Sequence, residues 1–349
     1  MNNSLKIFCL LILATCLNHC SESDKEHFFE DKDPQESSER EIRGVLEIAE
    51  QISLYDQFKL YNASGLIVYG NTLFIADRSQ FKVIGINTGS FEIELSFSIP
   101  EGEGPEELTS LSLGSVSNET FVFYDRSLSK FQFRDIKGTL IHEFISEELQ
   151  PSRIRFLSNG NIITLSDPFS TGKNYMFHEM NQEGEVLSEF GKIDRDHFHT
   201  LMYPGSIEID KNDNFYYAGF AEHILRKWDS DYRQVFSVTS IDDFPADLNY
   251  ITFESGENRV FRYSEHGYFS AIGSALHNDY WLILQGGVSG DEHEYPKLDI
   301  YSQETGDYLY TYEIPYRATG SMAVDDQFIY LLHMIDDDTH LVIYENNLQ

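Results

Sequence analysis

The sequence predicts an all-β fold: a six-bladed β-propeller of four-stranded antiparallel blades, with the last blade closed by an N-terminal strand. Three observations predict it. Short apolar runs recur in groups of four, at about 45–50 residues per group, the spacing expected of propeller blades. The last group lacks its fourth run, and an unassigned apolar segment precedes the first group. Aromatic residues make up 14% of the 349-residue chain, with 26 Phe and 21 Tyr. Such residues suit half-buried pleated surfaces, and no sustained 3.6-residue periodicity competes with them.

In chain order, residues 1–20 read as a signal peptide. Lys6 precedes an apolar run too short to span a bilayer but of signal-core length. All three cysteines, Cys9, Cys16 and Cys20, lie here, so cysteine usage indicates processing rather than a disulfide framework. The stretch 17–20 resembles a bacterial lipobox, with Cys20 the lipidated residue and His19 where a small residue is usual. The stretch 13–16 competes, ending in Cys16 with Thr15 in that position. Cys20 is preferred because an acidic polar stretch follows at once. Complete removal of the segment by ordinary secretion is the alternative. Residues 21–42 are rich in Glu, Asp, Ser and Lys and predict a flexible acidic tether.

Residues 43–349 predict the propeller. The runs at 73–77 and 121–125 end in Asp77-Arg78-Ser79 and Asp125-Arg126-Ser127, one repeat apart. Each is followed by another alternating run, at 82–86 and 130–134, then a turn, then a fourth run at 91–97 and 140–144. The same order continues at 161–190, 214–238, 280–312 and 328–344, with opening strands at 65–69, 206–210 and 321–325. Because the last unit stops after its third strand, the segment 44–49 is expected to supply the fourth and so remove an exposed edge. The spans 240–268 and 286–296, rich in Gly, Asp, Glu and His, read as insertions at one end of the ring.

Formal net charge is −33. That charge repels phosphate backbones, so no nucleic-acid partner is expected, and the membrane is met only through a lipid anchor. The body carries no Gly-x-Ser-x-Gly elbow, no His-Glu-x-x-His motif and no cysteine for nucleophilic catalysis. No cofactor is predicted; Ca²⁺ is the ion so acidic a chain would take. His197 and His199, with Asp194 and Asp196 nearby, would share one face if extended, but two imidazoles do not make a metal site. The acidic hairpin Asp336-Asp337-Asp338 with His340 lacks the ligand spacing of a Ca²⁺ loop. Asp77, Arg78, Asp125 and Arg126 are candidate structural or ligand-binding residues. Asp and Ser can bond turn backbones, Arg can pair between blades, and all could bind ligand if they line the channel.

Gly102, Gly104 and Pro105, followed by Glu106 and Leu108, resemble the Gly-x-Gly-Pro loop of six-bladed β-propeller lipoproteins of Gram-negative bacteria, a set related to NHL-repeat and TolB-like propellers. Glu106 stands where a second glycine is commoner. The resemblance covers about residues 44–349, and implies an exported outer-membrane lipoprotein, periplasmic or on the surface. Fold alone assigns no activity. The expected function is a non-catalytic binding or scaffold propeller, a monomeric domain presenting a loop-rich face to a protein, glycan or peptide. The alternative is a metal-dependent, lactonase-like hydrolase, whose acidic and amide side chains would hold a central cation.

Overall fold

A computed structural model describes residues 33–36, 39–146, 148–168, 172–193, 203–242, 248–252, 259–263, 268–288 and 296–348. Six antiparallel sheets stand around a central channel. Blade one comprises Ala63–Tyr69, Thr72–Asp77, Lys82–Asn87 and Ile93–Ser98. Blade two comprises Ser112–Ser117, Thr120–Asp125, Lys130–Asp135 and Leu140–Ile145. Blade three runs Pro151–Phe156, Ile162–Ser166, Tyr175–Met180 and Val186–Lys192; blade four runs Gly205–Ile209, Phe215–Gly219, Ile224–Trp228 and Gln234–Thr239. Blade five holds Tyr268–His277, Tyr280–Val288, Lys297–Ser302 and Tyr308–Glu313, and blade six Ala318–Val324, Phe328–Ile335 and Asp338–Glu345. The first strand of each blade lines the channel, and the six neighbour one another in order, sixth against first.

The middle strands are apolar on both faces because both faces are covered. Along Thr72–Asp77, Leu73 and Ile75 pack towards blade six, while Phe74 and Ala76 pack towards blade two. The period of two therefore feeds two different cores. Six such cores, one at each junction between successive blades, make the ring continuous among the described residues. Turn glycines fit the same junctions. Gly138 takes φ +88°, and a Cβ there would meet Phe97 of the preceding blade at 2.4 Å. Only glycine meets both demands at once.

The sixth blade is closed by Ile48–Ser53, antiparallel to Asp338–Glu345, with Ile48 opposite Tyr344 and Ser53 opposite His340. An N-terminal strand thus seals the ring, lying a few residues beyond the expected 44–49. The earlier strand Ile42–Val45 does something else: it adds in parallel to the outer edge of blade five at Tyr308–Glu313. Leu46, 6% exposed, turns into the core between these blades and separates the two strands. Ser53 then caps a short helix, Leu54–Phe58, its hydroxyl accepting from the Asp56 amide.

The tether expected over 21–42 is docked where it is described. Asp33 bridges Val238 of blade four. The Gln35 side chain donates to Thr239 and Gly306 carbonyls at 2.8 and 3.0 Å. Arg40 donates to both Asp299 oxygens at 3.0 and 3.1 Å and forms a second bidentate pair with Asp242. Cys16, Cys20, His197 and His199 lie outside the described residues. Of the insertion 240–268, the described part includes a hairpin, Leu248–Thr252 with Arg259–Tyr263. Residues 286–288 of the other insertion extend the second strand of blade five.

Candidate functional site

Each blade's first strand begins at the same mouth of the channel, and its second strand ends there. At that mouth the repeated Asp-Arg-Ser triplets divide their labour. Asp77, fully buried, ends its strand with its carboxylate turned onto backbone. One oxygen accepts from the Tyr61 and Asn62 amides, the other from Ser79 and Gln80 amides and the Ser79 hydroxyl. Asp125 does the same with Thr109, Ser110, Ser127 and Leu128. Burial alone would raise both carboxyls, but these hydrogen bonds outweigh it and hold each below the usual range. Each aspartate thereby ties the entry of its blade's first strand to the turn after its second. The arginine next in the chain, Arg78 or Arg126, is left facing the mouth. Neither guanidinium makes a hydrogen bond or ion pair among the described residues, so the inter-blade pairing open to them in sequence is not made.

The mouth opens into a cavity of about 1000 Å³. Its walls are the inner strands of blades one to three, with single faces of blades four, five and six. The lining is mostly small: hydroxyls such as Ser64, Thr109, Ser110 and Ser152, and glycines such as Gly65 and Gly114. Small residues are required where inner strands converge; a Cβ on Gly273 would meet the Gly320 carbonyl oxygen at 2.3 Å.

Two further arginines, unmarked in the sequence reading, complete the site. Arg153 and Arg155 lie two apart on Pro151–Phe156 and therefore on one face, that of the channel. A pair of like charges at i and i+2 on an inner strand was the available signal. Arg155 is neutralised: it forks onto Glu208 of blade four at 3.0 and 3.1 Å and donates to the Gly114 carbonyl at 2.9 Å. The Ser274 hydroxyl also donates to Glu208, at 3.2 Å. This cluster forms a polar floor. Arg153, nearer the mouth, donates only to the carbonyl of its neighbour Ser152, at 2.9 Å. Its side chain is exposed at the mouth, and the Arg155 and Arg78 charges nearby disfavour its cation. On the same lining, near Arg126, Tyr124 is 3% exposed and its hydroxyl is unbonded, with Ser129 alongside. Burial pushes that phenol up to about 12.

All four charged side chains on this lining are arginines, in a chain with 58 acidic and 25 basic residues. That sign runs against the whole molecule and suits anions rather than a central cation.

The loop marked by Gly102, Gly104 and Pro105 lies elsewhere, folded over the outer part of blade two. The Lys130 ammonium donates to Gly104 and Glu107 carbonyls at 2.7 and 3.1 Å, and Arg134 to the Glu106 carbonyl at 2.7 Å. It is a clamped connector. Glu106 takes φ +66°, a left-handed conformation that glycine would adopt without strain. In the last hairpin, Asp338 accepts from the Ser53 hydroxyl at 2.6 Å, and His340 stands 3.6 Å from it. No group of three or more potential metal ligands occurs among the described residues.

No protein-family model and no curated protein sequence matches the chain. Solved structures do. A Bacteroides fragilis protein, described as exported by inference, is 11% identical, with 90% of this chain and 99% of that one aligned at a TM-score of 0.57. A DUF4221 family member from Bacteroides vulgatus is 10% identical over 86% and 98%, TM-score 0.56. Virginiamycin B lyase from Staphylococcus aureus is 13% identical over 85% and 99%, TM-score 0.50. The chain shares the propeller fold with them. Identity at this level establishes the architecture and no activity.

Proposed function

We propose that the chain is an exported, lipid-anchored binding propeller of the bacterial outer membrane, akin to the six-bladed lipoprotein propellers. It is non-catalytic and takes its ligand into the channel mouth. The observation that carries the binding reading is the open cavity of about 1000 Å³, within the size range of small-molecule sites. Its described lining offers hydroxyls, amides and guanidinium groups but no carboxylate, imidazole or amine to act as general base. The Bacteroides fragilis fold neighbour described as exported supports export, and the short apolar segment ending in Cys20 supports anchoring. The lactonase-like alternative needs a central cation, and here a cation would face guanidinium groups.

Cell fractionation tests the anchor. Cys20→Ala is expected to move the protein from the membrane to the soluble fraction, and Cys16→Ala to leave it in place. If neither substitution releases it, the anchored reading fails. Hydrogen exchange on the same protein, with saccharide, peptide and organic-acid panels, tests the site. Protection is expected at residues 62–64, 109–112 and 150–153. Protection confined to the outer strands, or stoichiometric metal in elemental analysis, would overturn it.

A further inference from the structure

Resting on the reading of the channel mouth as a ligand site, we infer that Arg78, Arg126 and Arg153 form an anion clamp for a small organic molecule bearing at least two acid groups.

Three independent features point to this. The first is uncompensated charge. Arg78 and Arg126 make no side-chain bond among the described residues, and Arg153 makes one, to its neighbour's carbonyl. Among the described residues no carboxylate stands within ion-pair distance of any of them, in a chain where acids outnumber bases more than two to one. Arg155, on the same strand as Arg153, shows the usual resolution of such a charge, a fork onto Glu208. The three at the mouth lack it. Like charges gathered on a concave wall repel each other and persist where something else gains from them.

The second feature is how they are held. Arg78 and Arg126 follow fully buried aspartates, each fixed by several hydrogen bonds to two loop segments, so their backbones are preset. Arg153 sits within an inner strand. Three consecutive blades thus each offer a guanidinium to one space. A guanidinium fork matches the two oxygens of a carboxylate, phosphate or sulfate, and several forks favour a ligand with several acid groups.

The third feature is the rest of the wall. The cavity wall carries the hydroxyls of Ser64, Thr109, Ser110 and Ser152; the last three already donate, to Asp125 and the Leu165 carbonyl, and keep lone pairs for a donor on the ligand. They can bond the neutral polar part of an organic anion, and about 1000 Å³ is far more than an inorganic ion fills. In blade three, the place matching Arg78 and Arg126 is Asp167. It is absent from the lining, and Arg153 supplies that sector's positive charge.

Calorimetry on the full chain in detergent tests this. The probes are citrate and digalacturonate for carboxylates, glycerol phosphate and pyrophosphate for phosphates, and sucrose as a neutral control. Binding of one or more anions is expected, with weaker binding as salt rises. Each of Arg78→Gln, Arg126→Gln and Arg153→Gln should cost about 10–100-fold in affinity, the range for a charge-assisted hydrogen bond. Arg233→Gln, at an exposed pair with Asp231 outside the cavity, should cost nothing. Because the three arginines support no other described side chain, the variants should keep the parent's melting temperature, which separates lost binding from lost folding. Carboxylate or phosphate selectivity identifies the acid group. Anion binding unchanged in the triple variant would overturn the clamp. So would sucrose or a peptide protecting the mouth while every anion fails, an outcome that leaves the binding reading standing.

Discussion

At the scale of single residues, buried polar groups decide the response to acid. His178 is fully buried; neither ring nitrogen has a hydrogen-bond partner, and the nearest recorded carboxylate oxygen, of Glu189, is 3.8 Å away. Burial pulls its pKa down to about 4, and that of His333 likewise. Above pH 6.5 both are neutral folded and unfolded, so neither affects the pH dependence. Between pH 6.5 and 4 the unfolded chain takes up protons that the folded chain refuses, and stability falls as pH falls. Each histidine contributes a loss of about 3 kcal/mol across that window. Urea unfolding of His178→Leu should therefore show a pH slope shallower by about one proton; an unchanged slope would refute the assignment. Asp77 and Asp125 act in the next window. Their lowered pKa values stabilise the fold above the usual aspartate value, and that contribution is lost as pH falls through the folded values. The aspartates were legible in the sequence because they repeat. The role of their neighbouring arginines was open, since repetition alone does not tell pairing from exposure. Arg153 was missed because no second blade repeats it.

At the scale of elements, the N-terminal segment stitches three blades together. It bridges blade four at Asp33, adds a strand to blade five and completes blade six. Arg40 is its strongest single attachment, because Asp299 is fully buried and its other recorded side-chain donor is the Thr311 hydroxyl at 2.6 Å. Arg40→Ala leaves that carboxylate without its cation, and equilibrium unfolding should show a loss of about 3 kcal/mol, the cost of breaking a buried pair from one side. A change under about 0.5 kcal/mol, typical of exposed pairs, would contradict this. The missing fourth strand of blade six was legible as a gap in the repeat. Its register was not, because 42–53 offers two apolar stretches and only the position of Leu46 in the core decides between them. The docking of 33–36 and 39–41 was hidden by polarity: it is held by hydrogen bonds and charge, which leave no hydrophobic period to read.

At the scale of the whole molecule, six inter-blade cores oppose a net charge of −33. Surface carboxylates repel one another across the folded ring more than in an expanded chain. Raising sodium chloride from about 10 mM to about 0.5 M shortens the screening length from roughly 30 Å to under 10 Å. The melting temperature should rise with it, and a fall would show that attractive surface pairs outweigh the repulsion. Blade number and closure were legible because each blade repeats the same run of strands. The cavity was not, because it belongs to no single repeat. It arises where first strands from six blades converge, and its charge comes from residues in three of them.

The route of the N-terminal segment also has a mechanical consequence. Among the described residues, tension arriving from the N-terminal side is met first at blade four, not at the closing strand of blade six. Asp33, Gln35, Arg40 and then the strand Ile42–Val45 must give way in turn before force reaches Ile48–Ser53. The clasp that keeps the circle shut is thus shielded behind a series of sacrificial fastenings, and a tug would fray the lashing before it opened the ring.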